Sequence, residues 1–344
     1  MPEKKSFLWS FHYFRAFAIL NIITLHLWVL PQQISNQVNK DHLDLITQTI
    51  FHCSSIYFLF ISGFLFHYLS NNFALKKYFI AKTKNVLVPY ILISIFLIVV
   101  YGFLGEQSKV SNLSNYLTII PLKLLKGEAS VQFWYIPFIF IVFIISPLFL
   151  KIKKKTFNRV IPIFFLIPLF GTRTAVEVTF FQYLYFLPVY LMGMYTSLNL
   201  DAVMAFIKKY FKPLIFIAIA STIVAYIIED KYVFYGIIKA KESIMYVQKI
   251  SVTFIFLHLT RNIGHNRFPI LNYIANFSFG LYFYHLFFYS ILSKFLNQID
   301  FTSLGYTVHI ISVLNVILIL GINLLFCLLM KKLLGKKSLL IMGS

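Results

Sequence analysis

The chain has 344 residues, of which 59% are hydrophobic, 19% aromatic and only 12% charged. A soluble domain carries about a quarter charged residues and under half apolar ones, so soluble globular folds are excluded. At roughly 20 apolar residues per membrane span, this composition supplies about ten spans and leaves no room for a sizeable soluble domain.

Apolar runs long enough to span, separated by polar or charged punctuation, fall at residues 8–30, 49–69, 86–104, 131–150, 158–171, 180–198, 213–228, 247–263, 270–296 and 306–330. The fifth run is short and interrupted by Pro162 and Pro168, which reads as a broken or tilted helix. Barrel strands would alternate over about ten residues, whereas the stretches around Ser62 and Ser146 are continuous, so helices are expected. The first run continues to Leu30 with no small-residue cleavage site at its end and reads as an uncleaved span. The expected fold is an all-α integral membrane protein of about ten helices forming one domain over 1–344.

Charge on the connections assigns their sides. One alternate set, including Lys4, Lys5, Lys76, Lys77, Lys82, Lys84, the lysines of 151–155, Lys208, Lys209, Lys212, Arg261, Arg267 and the C-terminal lysines, opposes only Glu3 and Asp201. The other set carries more acids than bases, among them Asp41, Asp44, Glu128, Glu229, Asp230 and Glu242. By the positive-inside rule the first set is cytoplasmic, which puts both termini inside and loops 31–48, 105–130, 172–179, 229–246 and 297–305 outside. This placement also accounts for the net charge of +20: anionic headgroups attract it, and no nucleic-acid partner is needed. Cys53 and Cys327 have neither CxxC nor zinc spacing and lie near opposite membrane faces, so no metal site or disulfide is expected.

Ionisable residues at membrane depth suggest function. No Asp or Glu falls inside the ten runs, which argues against a carboxylate-driven pump; Arg15, His26, His52, His67, His258, His285 and His309 do. Arg15 and His26 are eleven positions apart, about 20° past three full turns and about 16 Å along the axis, so they share one helix face at two depths. The plainer alternative is a snorkelling Arg15 and a packing His26, and spacing alone leaves both open. Ser62 with Gly63 would equally serve close helix approach, and Trp28 and Trp134 would serve as interface anchors. His12, His67 and His258 read as interface residues. No serine-nucleophile motif, glycine-rich phosphate loop or metal cluster is present.

Five motifs in order bear a resemblance. These are Arg15 and His26 separated by ten residues; the aromatic run ending Ser62-Gly63-Phe64; Pro89-Tyr90 after the basic segment; Phe133-Trp134-Tyr135; and Ser278, Gly280, Tyr282 and His285. Together they resemble the membrane acyltransferase-3 family, bacterial integral membrane O-acyltransferases. The resemblance departs at Lys82 and Asn85, where the family carries an Arg-x-x-Arg, so a bidentate phosphate fork is lost and Lys84 is the nearest replacement. It departs again at Phe133, where a polar residue is often seen. Many relatives also carry an extra span and an extracytoplasmic hydrolase-like domain, for which no counterpart is expected here.

The resemblance implies transfer of an acyl group, acetyl above all, from cytoplasmic acyl-CoA to a hydroxyl of a surface glycan or lipid-linked sugar, in a bacterial inner membrane. No permanently bound cofactor or metal is implied. His26 would be the base, since a free imidazole titrates near pH 6.5 and is partly unprotonated at neutrality. Arg15 would stabilise developing charge or hold the thioester. His285, Tyr282, Trp134, Tyr135, Ser62 and Arg173 would contact substrate, and Arg15, Lys82 and Lys84 would bind the donor. The rival reading is a non-enzymatic polysaccharide or glycolipid exporter, whose polar path the 22 tyrosines could line.

Overall fold

The computed structural model describes residues 9–28, 40–104, 113–173, 179–228, 233–234, 238–263, 267–296 and 308–343. The charges at Lys4, Lys5, Glu229 and Asp230, and most of the expected outer loops 31–48, 172–179 and 297–305, lie outside the described residues. Helices dominate: α1 (Trp9–Leu27), α2 (Lys40–Phe51), α3 (Ser55–Tyr68), α4 (Leu75–Lys82), α5 (Val88–Leu104), α6 (Leu113–Lys126), α7 (Tyr135–Leu150) and α8 (Lys154–Phe164) form the first half. The second half holds α9 (Phe180–Leu198), α10 (Leu200–Lys209), α11 (Phe211–Ile228), α12 (Ala240–Thr260), α13 (Pro269–Asn276), α14 (Ser278–Leu296), α15 (Val308–Leu334) and α16 (Leu339–Met342). A two-residue antiparallel ladder pairs Val233 with Lys239 and Phe234 with Ile238, a small departure from the all-helical expectation.

Among the described residues six helical segments are long and apolar enough to cross a membrane: 45–68, 75–101, 131–150, 211–228, 240–260 and 309–342. Helices α1, α9 and α14 have 19 residues each, long enough to span, but are more polar. The physical reason is their surroundings. Helix α1 packs against α2, α3, α12, α13, α14 and α15, and a helix lined by protein can carry polar groups that lipid would reject. By contrast α11 and α15 expose Phe216, Ile219, Ile223 and Ile227, and Ile310, Leu314, Ile317 and Leu325, as a lipid-facing surface does. The expected fifth span is broken as its prolines suggested: α8 carries Pro162 and ends at Phe164, and a short 3₁₀ turn follows at Ile167–Phe170.

Three expectations are corrected. The run 49–69 belongs to one spanning segment but not to one continuous helix, because Cys53 turns the chain at φ +60° between α2 and α3, a left-handed conformation unusual outside glycine. The basic segment 76–84 is helical rather than a loop, continuing from α4 through a π-helical turn at Thr83–Leu87 into α5. Glu242, assigned to an outer loop, is buried in the first turn of α12.

The most extensive helix–helix contact among the described residues is that of α3 with α9. A Cβ on Gly63 would fall on the carbonyl oxygen of Tyr190, and one on Gly193 on that of Phe60. Small residues that let backbones approach drive helix association where lipid removes the hydrophobic drive. Gly63→Ala and Gly193→Ala should therefore each abolish the monodisperse peak in detergent size-exclusion chromatography. Gly321→Ala, whose Cβ would meet nothing within 4 Å, should elute as wild type.

Candidate active site

Two narrow adjoining cavities run along α1. The upper one is lined by Leu25, His26, Cys53, Gln132, Trp134 and Arg173, and the lower by Ser62, Phe143, Ser278 and Phe279; Ile22, Ser55, Tyr135 and Tyr282 border both. The α1 register explains the split, since Ile22 lies one helical turn below His26.

His285 of α14 stands beside His26, with ring centroids 5.5 Å apart. Its Nδ1 lies 2.9 Å from the Tyr282 carbonyl and 3.1 Å from that of Leu281. Carbonyls only accept, so in the neutral ring Nδ1 carries the proton. Nε2 is then a buried lone pair, and it has no partner among the described residues.

Arg15 lies at the level of the lower cavity, where Nη2 donates to Ser278 Oγ at 2.9 Å. Ser278 is seven residues before His285 on the same helix, about 10 Å along its axis. The shared face expected for Arg15 and His26 therefore opens onto two depths of one path. Lys82 turns inward, its Nζ 4.0 Å from the ring centroid of Phe143, which lines the lower cavity, while Lys84 is exposed. Ser62 lines that cavity and Gly63 makes the helix crossing, so both readings of this pair apply, one to each residue. Trp134 is 4% exposed, and its ring stacks on Phe186 at 5.5 Å; burial removes the interface-anchor reading.

Arg173 extends a polar cluster behind the upper cavity. Its guanidinium lies 5.5 Å from the Trp134 ring, and Nη1 donates to His52 Nε2 at 3.2 Å. With Nε2 accepting, His52 Nδ1 carries the proton and faces Cys53 Sγ at 3.3 Å. The Arg173 backbone N–H and the Thr172 hydroxyl, the latter at 3.0 Å, both donate to Glu242 Oε2. Tyr185 Oη donates to the Glu242 carbonyl at 2.8 Å. Lys249, 1% exposed, donates to the Ile50 carbonyl.

Sequence reading did not single out Gln132, Cys53 or Glu242 as parts of this site. Gln132 carries one signal in the sequence: it is the polar residue directly before the aromatic triplet Phe133-Trp134-Tyr135. Among the described residues no cluster of three or more His, Cys, Asp or Glu could hold a metal ion.

Glu242 supplies the acceptor for two buried donors, and each unpaired buried donor costs about 1–3 kcal/mol. Glu242→Ala should lower the melting temperature in detergent by several degrees. Glu242→Gln, which keeps an acceptor oxygen, should lower it much less.

No curated protein and no solved structure matches the chain. The family model described as an acyltransferase domain, that of acyltransferase family 3, matches residues 8–332, nearly the whole length. The match spans both cavities and every helix from α1 to most of α15, and it decides for an enzyme over an exporter. The chain belongs to the acyltransferase-3 family and is a membrane acyltransferase.

Proposed function

We propose that the protein is a ten-span bacterial inner-membrane O-acyltransferase with both termini cytoplasmic, moving an acetyl or other short acyl group from acyl-CoA to a hydroxyl of a surface glycan or lipid-linked sugar. The observation that carries this reading is the two-depth path along α1: a cation at the lower cavity, an imidazole at the upper one, and Tyr135 and Tyr282 bordering both. The lower end suits the donor. Lys82 and exposed Lys84 offer charge to phosphates, and Arg15, held by Ser278, positions the pantetheine arm below the reacting carbon.

The upper end suits the acceptor. His26 takes the proton of the attacking hydroxyl, and the free Nε2 of His285 accepts a second hydroxyl of the sugar. Trp134 and Tyr282 supply aromatic faces, and Arg173 keeps the cavity cationic. The hydroxyl oxygen bonds to the thioester carbon, the C–S bond breaks, and the thiolate recovers the proton from His26.

His26→Ala should lower thiol release from the acyl-CoA, with the acceptor supplied, by at least ~100-fold while the protein still accumulates, as expected for loss of a general base. Near-wild-type turnover would remove that assignment. Lys82→Gln should raise the donor KM more than Lys84→Gln, and the double change more than either, with kcat falling less than in His26→Ala. Exposed charge is screened over about 8 Å at physiological salt, so donor KM should climb with ionic strength.

Sidedness is tested separately. Because Cys53 and Cys327 are buried free thiols, a cysteine introduced within 151–155 can be labelled against a quiet background. An impermeant maleimide should reach it only after the membrane is opened; labelling from outside would overturn the topology.

A further inference from the structure

The upper cavity contains a polar group with no role in the scheme above. Gln132 is 3% exposed and lines that cavity together with His26. Its Oε1 accepts from Ser130 Oγ at 2.6 Å, which orients the amide, and its Nε2 has no partner among the described residues. An unpaired buried amide donor is costly, and an apolar side chain of similar size would avoid that cost. The turn that carries it is rigidly held. Tyr282 Oη donates to the Gln132 carbonyl. Phe133 packs edge-on against Tyr90 and Phe283. Gly127, at φ +74°, lets the chain fold back so tightly that a Cβ there would lie 2.6 Å from Trp134 Cα.

Acyl transfer creates negative charge on the carbonyl oxygen as the hydroxyl adds, and a preorganised donor aimed there is among the largest catalytic effects. Arg15 is bound to Ser278, about two helical turns of α14 below His285 and hence below the imidazole of His26. Arg173 Nη1 is engaged by His52. Gln132 Nε2 remains.

We propose that the Gln132 side-chain amide is the hydrogen-bond donor to the acyl carbonyl oxygen in the transition state. The inference rests on the acyl-transfer reading and adds the group that stabilises its intermediate. The attacking oxygen bonds to the thioester carbon as its proton passes to the unprotonated nitrogen of the neutral His26 imidazole. The carbonyl pair moves onto oxygen, where Gln132 Nε2–H meets it. That pair then returns, the C–S bond breaks, and the thiolate takes the proton from His26. Water can replace the sugar hydroxyl in the same sequence, so hydrolysis reports the same intermediate.

The test uses the full-length protein in detergent with acetyl-, propionyl-, butanoyl- and octanoyl-CoA, following thiol release with water as acceptor. Gln132→Met, close in shape but with no donor, should lower kcat by about 100-fold with donor KM within about twofold. It should also weaken binding of S-acetonyl-CoA, which keeps a carbonyl, by about fivefold, and leave S-ethyl-CoA, which has none, unchanged. Should Gln132→Met fail to accumulate, Gln132→Leu, which also has no donor, decides on the same criteria. A kcat within about threefold of wild type, or equal weakening of both analogues, overturns the role of Gln132 while His26→Ala still reports on the function. A wild-type protein that cleaves none of the four thioesters overturns both.

Discussion

The backbone contact of α3 with α9 at Gly63 and Gly193 sets the geometry on which the rest of the bundle depends. Neither position has room for a Cβ, so the two helices approach at backbone distance rather than through interleaved side chains. That approach orients α3 so that Ser62, the neighbour of Gly63, borders the lower cavity. It also carries Tyr185 of α9 to the carbonyl of Glu242, on the far side of the polar cluster. A wider crossing would separate these partners by more than a hydrogen bond can span.

Around that crossing the molecule satisfies polar groups without water. Many buried polar groups are matched to a backbone carbonyl: Lys249 to Ile50, Tyr282 to Gln132, Asn323 Nδ2 to Leu281 and Asn315 Nδ2 to Leu27. The pattern follows from the low dielectric, where an unmatched polar group is costly. Among the buried atoms that find no partner in the described residues, Nε2 of His285 and Nε2 of Gln132 are distinguished by their place beside His26. They sit where a substrate would supply the missing partner.

The polarity of α1 follows the same logic. A helix that carries Arg15, Asn21 and His26 is a poor lipid-facing span, and it is surrounded by other helices instead. A helix with these polar groups is thus enclosed by others, and the more apolar α11 and α15 face outward. Function and packing select the same arrangement, because the residues that would react must be kept from lipid and held by neighbours.

Local composition was enough to specify the helical membrane class, the broken fifth run and the pairing of Arg15 with His26 on one face, since each depends on residues near in sequence. The family motifs, read in order, marked Ser62, Trp134, Tyr135, Tyr282 and His285, which border the two cavities or, for His285, stand against His26. Other features depend on contacts across the chain, which spacing cannot encode. The left-handed turn at Cys53 interrupts a run that reads as continuous, because tertiary packing overrides apolar periodicity there. Glu242 reads as a loop acid, and only its contact with Thr172 and Arg173, some seventy residues away, buries it. Arg15 and His26 share a face in the sequence, but only the position of Ser278 against one and His285 against the other separates their depths into two sites. Gln132 is one polar residue in an aromatic stretch until the fold brings the turn that bears it to the cavity of His26, where its Nε2 finds no partner among the described residues.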